Sequence, residues 1–244
     1  MSEIGNMPSI LRLPLELRQH IYSYLMPEQT IPKPIPGVGL TSVTHRPPPP
    51  NLLLVNSQFT EDLLNYYFTI STWKIILSHE FNYFRNDPTL SNLAKWPHLK
   101  RIQKVHLMFF CNIFLLREYP SFGLDQFCSE IRRRSTRATE ILLSIPRLRI
   151  VTVSWLDNTK TGDVEQKASL SDPLLKLKGR VEFILGEITG LDQTEMPQFL
   201  KRINKLLPVD AELEKYNDSS TAAADTKRKD SVMSGWAVAQ PVQV

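Results

Sequence analysis

Apolar positions recur every fourth residue through Leu17, Ile21 and Leu25, and Pro14 suits a first helical turn, so the pattern predicts a short helix that Pro27 ends. The next apolar stripe, Leu52, Val55, Phe59, Leu63 and Tyr67, falls on one face of a second helix. Trp73-Lys74-Ile75-Ile76-Leu77 is short, aromatic and β-branched, which predicts a strand, followed by a small helix near Leu90–Trp96. The strongest stripe is Leu124, Phe127, Cys128, Ile131, Ala138, Ile141, Leu142 and Ile145, with Arg132, Arg133 and Arg137 off it. A strand over Val181–Leu185 and an amphipathic helix carrying Met196, Phe199, Leu200, Ile203, Leu206 and Leu207 complete the pattern.

Two stretches repeat one another. Trp96–Leu107 can be laid over Ile145–Val153, each giving a helix end, a proline stop and a strand. Helices that alternate with strands imply parallel pairing, because parallel neighbours need a crossover connection. Pro97 and Pro146 stand too far apart for the roughly 20 to 29 residues of a regular leucine-rich repeat. The expectation is therefore an α+β to α/β chain whose body is an irregular leucine-rich-repeat-like layer with a short parallel sheet, and not a horseshoe.

Composition changes between these elements. From Pro27 to Pro50 the chain is rich in Pro, Gly, Thr and Val and ends in four consecutive prolines, which predicts an extended linker without a core of its own. From about Asn217 it turns polar and Ala-rich, the composition of a disordered tail. The expected organisation is a helical segment over 1–70 with a Pro-rich insert at 27–50, an α/β body over 71–210, and a disordered tail over 211–244. At 244 residues the chain can bury a sufficient core without disulfides or metal. Cys111 and Cys128 are accordingly expected as buried thiols in a reducing compartment.

Charge is unevenly placed. The net charge is +4, yet ten Lys or Arg face only four acids between His98 and Ile150, so this one segment carries the basicity. Arg132, Arg133, Arg134 and Arg137 are the candidate patch for phosphates or an acidic partner. No base-stacking aromatics or known module accompany them, so nucleic acid is the secondary expectation. Lys227-Arg228-Lys229 is a short basic run in the expected tail.

Signatures of catalysis are missing: the chain has no phosphate-binding glycine loop, no nucleophile elbow and no zinc-protease helix motif. Gly37 and Gly39 sit in the Pro-rich stretch, where a turn is expected. His20, His45, His79, His98 and His106 are scattered, with no pair at ligand spacing. Neither catalytic residues nor a cofactor or metal site is expected. No run approaches the ~20 apolar residues of a membrane span, which implies a cytoplasmic or nuclear protein without membrane contact.

The N-terminal segments, Leu13-Pro14-Leu15-Glu16-Leu17-Arg18 through Ile21-Tyr22 and Leu25, then Leu52–Phe59, resemble the fungal F-box-like domain family. The leading Leu-Pro-x-Glu-Leu-Arg with Ile-Tyr is the more specific part. The resemblance implies a small helical domain fused to a variable α/β or leucine-rich-repeat-like body, docking on a Skp-type adaptor of a cullin ubiquitin ligase while the body presents a protein substrate. Leu13, Pro14, Leu17, Ile21 and Leu25 match the first docking helix, and Val55 and Phe59, with Leu54, match the later apolar helix. Such docking requires these side chains to form an exposed apolar patch.

Overall fold

The computed structural model describes residues 9–78, 90–111, 123–157, 159, 164–191 and 194–207. Six strands form one mixed sheet in the order in which they occur in the chain: β1 Glu28–Pro32, β2 Ser42–His45, β3 Thr72–Ser78, β4 Lys104–Cys111, β5 Ile150–Asp157 and β6 Glu182–Thr189. The first two pairings, β1–β2 and β2–β3, are antiparallel, whereas β3 through β6 run parallel. Around them stand α1 Leu15–Leu25, α2 Ser57–Ile70, α3 Ser91–Lys95, α4 Leu124–Leu143, α5 Val164–Ala168 and α6 Met196–Leu206. The architecture is thus mixed α/β, with the parallel strands joined by helical crossovers.

β4 alternates strictly between a buried and a half-exposed side, and β3 does so up to its last residue. Trp73, Val105, Val151 and Phe183 form one register row of the buried side, and Leu77, Phe109, Trp155 and Ile188 another. Phe68 of α2 stacks on Trp73 at 5.5 Å, Phe199 of α6 meets Trp155 edge-on at 4.9 Å, and Phe109 stacks on Trp155 at 4.1 Å. Helices therefore cover this side of the sheet. The stripe of α4 is buried from Phe127 to Ile145, as its periodicity implies. Arg180 closes the end of that helix, donating to the carbonyls of Leu143 and Ile145, where a cation complements the helix dipole.

The Pro-rich stretch 27–50 departs from the expected linker. It supplies β1 and β2, which extend the body's sheet, and it buries Val38, Leu40 and Val43. The turn between the strands uses left-handed backbone at Lys33, Gly37 and Gly39. At Gly39 a Cβ would press on Leu90 Cδ2 at 2.8 Å, so only glycine lets the turn approach the body. Five apolar residues among many prolines carry no periodicity, and the pairing partner of β2 lies beyond α2, so local pattern could not reveal the strands.

The expected second helix is also interrupted. Asn56 Oδ1 accepts from Gln58 N at 2.9 Å and Phe59 N at 3.2 Å, so α2 starts at Ser57. Leu52–Leu54 form a separate 3-10 turn, and Val55 lies outside the helix whose stripe it was expected to share. The proline-stop repeat does place β4 beside β5. Lys104 pairs with Ile150, however, and not with Val153 as an alignment on the prolines would have it, because Pro97–Arg101 spends extra residues in a 3-10 turn. The stretch 211–244, including Lys227-Arg228-Lys229, lies outside the described residues, as does His79.

Candidate interaction surfaces

The inner side of α1 is built around Tyr22, which is fully buried. Its hydroxyl donates to Asp62 Oδ2 on α2 at 2.7 Å, and Arg18 Nη1 reaches the same oxygen at 2.9 Å. The ring lies edge-on to Phe59 at 5.8 Å and close to Tyr66. Burial, reinforced by the Asp62 carboxylate, pushes the Tyr22 phenol well above its ordinary pKa, which keeps it a hydrogen donor. Leu11, before α1, and Met26, just after it, are buried as well.

With Arg18 and Tyr22 turned inward, the helical spacing carries Leu17, Ile21 and Tyr24 to the outer side. They are 52%, 37% and 74% exposed. Leu13, Pro14 and Leu15 continue the exposed surface at the start of the helix. Leu54 and Val55 protrude just before α2, and Leu54 is 86% exposed. Their turn is clamped by Thr60 Oγ1 donating to Leu53 O at 2.8 Å, and Leu52 and Leu53 pack against the core. Of the large apolar side chains exposed among the described residues, all but Leu175 and Ile184 belong to this region.

Of the residues expected to dock, Leu13, Pro14, Leu17, Ile21 and Val55 are each exposed, whereas Leu25 is half-buried against the core and Phe59 is 5% exposed beside Tyr22. Those two hold the helices together and are not available to a partner. Leu15 and Tyr24 were not singled out from the sequence, although the spacing Leu17, Ile21, Tyr24 was there to read.

Each arginine of the basic part of α4 is paired with a carboxylate, Arg133 and Arg134 sharing one. Arg133 and Arg134 both bind Glu130, Arg132 binds Asp172 at 2.9 Å, and Arg137 binds Glu140 at 3.0 Å. Arg134 is buried and also donates to the Ser78 carbonyl at the end of β3, so it belongs to the helix–sheet junction. Arg133 and Arg137 line a groove of about 480 Å³ with Ser91, Thr136 and Glu140. The four arginines thus do not make one open cationic face.

The sheet carries a second surface on the side away from the helices. His106 Nε2 lies 2.8 Å from Ser154 Oγ at its centre. Burial, with the Lys74 cation adding to it, lowers the His106 pKa to about 4, so the imidazole is neutral near neutral pH. Burial also lowers Lys74, which Glu187 partly offsets.

At the ends of β4 and β5 lies a buried polar cluster that the sequence did not announce. Lys167 Nζ and Asp157 Oδ2 are 2.6 Å apart with both side chains almost fully buried, and Thr159 donates through N and Oγ1 to Asp157 Oδ1. Gly190 closes against it, since a Cβ there would overlap the Asp157 carbonyl oxygen. Cys111 and Cys128 are free thiols buried in the core. Burial raises both, Cys128 to about 11, so neither is an activated nucleophile.

Among the described residues no group of three or more His, Cys, Asp or Glu could hold a metal ion, and no helix is long and apolar enough to cross a membrane. The fold is mixed α/β, and the outer side of its first helix, α1, is apolar and exposed. No family model, curated protein or solved structure matches the chain.

Proposed function

We propose that the chain is a non-enzymatic interaction protein of F-box-like type: a substrate-recognition subunit that docks on a Skp-type adaptor of a cullin ubiquitin ligase through α1, in the cytoplasm or nucleus. The observation that carries this reading is the split of α1 into two sides. Arg18 and Tyr22 fasten one side to Asp62, and Leu17, Ile21 and Tyr24 stand exposed on the other. A helix that needed only to stabilise its own fold would turn those apolar side chains inward, since burial of each is worth about 1.5–3 kcal/mol. Clustered exposed apolar residues are the form that interface anchors take.

In this reading the irregular leucine-rich-repeat-like body selects a protein substrate. The test is capture of the full chain by a purified Skp-type adaptor, compared with Leu17→Asp/Ile21→Asp. Binding by the native chain and its loss in the variant is the expected result. Absence of binding by the native chain overturns the assignment. A nucleic-acid role for Arg132, Arg133, Arg134 and Arg137 is the weaker alternative, because each has a carboxylate partner.

A further inference from the structure

The parallel strands start in one register row, Thr72, Lys104, Ile150 and Glu182, so the turns that lead into them stand side by side along one edge of the sheet. Backbone bonds join these turns: Gln103 O accepts from Arg149 N at 2.9 Å, and Arg149 O accepts from Glu182 N at 2.8 Å. The turn before β4 carries Lys100 and Arg101, with Lys104 at the first strand position, and the turn before β5 carries Arg147 and Arg149. The connection into β6 adds Lys176, Lys178 and Arg180. Three successive turns thus bring cations to the same edge.

None of the stretches 97–104, 146–150 and 176–181 contains an acid. The carboxylates that border them are Glu61 and Glu182. Arg101 clasps Glu61 in two bonds of 2.8 and 2.7 Å, Arg147 donates to Asn65 Oδ1 at 3.1 Å, and Arg180 is engaged by the carbonyls that end α4. Lys100, Arg149, Lys176 and Lys178 are exposed, and among the described residues no carboxylate lies within ion-pair distance of them. The arginines of α4, by contrast, each have a carboxylate.

The edge also lacks apolar anchors. No large apolar side chain within the three stretches is exposed, and only Leu175 borders them, 38% exposed. A protein interface draws on buried apolar anchors, and stable membrane attachment on inserted chains or side chains. A phosphodiester backbone needs neither, since cations and released counterions supply its affinity. Strands ~4.8 Å apart spread the three turns over roughly 10 Å, about three phosphates of one strand at ~3.4 Å each.

We infer that this edge binds the phosphodiester backbone of duplex nucleic acid through Lys100, Arg147, Arg149, Lys176 and Lys178. The contacts are to phosphates, which carry no sequence information. The interaction goes beyond adaptor docking and uses no residue of α1.

Fluorescence anisotropy of the full chain with two short labelled DNA duplexes of unrelated sequence tests this over a salt series. Both duplexes are expected to bind alike, with log K falling against log salt at a slope of about −4 for five phosphate contacts. Arg149→Glu/Lys178→Glu, with native circular dichroism, should bind at least about tenfold more weakly and with a slope shallower by about 2. Lys100→Gln/Lys178→Gln, neutral changes at exposed positions, should flatten the slope by the same amount and keeps the test open if charge reversal disturbs the fold. Arg132→Gln/Arg133→Gln should bind as the native chain does. A native chain that binds no duplex or binds only phosphatidylserine vesicles, a clear preference for one duplex, or edge variants that bind like the native chain overturns the proposal.

Discussion

Tyr22 links the N-terminal helix to the rest of the molecule through a single carboxylate, Asp62, which it shares with Arg18. Removing only the hydroxyl, as in Tyr22→Phe, deletes one hydrogen bond to a charged acceptor and leaves the ring packing on Phe59. The expected loss is about 1–2 kcal/mol, read from denaturant unfolding. An unchanged midpoint would mean that ring packing alone holds α1. From the sequence, Tyr22 read simply as part of a family-like motif, since its partner lies forty positions away.

His106 sets a pH dependence with a definite sign. Its folded pKa of about 4 lies below its ordinary 6.5, through burial first and Lys74 second. Between those values the unfolded chain holds a proton that the folded chain lacks, so this group's contribution is fully present above 6.5 and is lost as pH falls toward 4. His106→Gln removes the contribution. The difference in stability between native and variant should shrink as pH falls through that window. A difference independent of pH would contradict the burial of a neutral imidazole.

At the scale of elements, α4 and the four parallel strands were legible because their periodicity is local. The amphipathic stripe of α4 and the aromatic, β-branched runs each fit a single template over many residues. β1 and β2 were not legible, since their stability comes from pairing across the sheet and from two glycines with positive φ, none of which imposes a hydrophobic rhythm. Val43→Asp distinguishes strand from linker. It places a charge at a fully buried position beside Trp73, and unfolding of the whole sheet, seen as a large drop in thermal midpoint, is expected. A linker would tolerate the change.

Capping separated the apolar residues of the second segment in a way that periodicity could not. Asn56 starts α2 late, which throws Leu54 and Val55 outward while Phe59, Leu63 and Tyr67 go inward. The unbroken apolar stripe from Leu52 through Val55 to Phe59 masked that boundary in the sequence. The arginines of α4 illustrate the converse. Their number was plain, and what neutralises them, Asp172 on a distant turn and Glu130 within the helix, depended on the fold.

For the whole molecule, the outer side of α1 offers an apolar stripe held out by an inward polar anchor, and the sheet side away from the helices centres on the His106–Ser154 contact. Leu17 and Phe59 were both nominated from the sequence for the proposed docking surface, whereas which of them faces outward was not legible, because they are equally apolar and only packing tells them apart. The buried Asp157–Lys167 pair was invisible for the same reason: its two members come together only through the crossover from β5 to β6.

The most direct measurement is a titration of the full chain with a purified Skp-type adaptor, made alongside thermal unfolding of the native chain and of Leu17→Asp/Ile21→Asp. The account predicts saturable binding by the native chain, at least about a hundredfold weaker binding by the variant, as loss of ~2.7 kcal/mol or more of anchor energy implies, and a thermal midpoint that scarcely moves, since both positions lie outside the core. A variant that loses stability as well would place these side chains in the fold's own packing. A native chain that does not bind would contradict the adaptor-docking role.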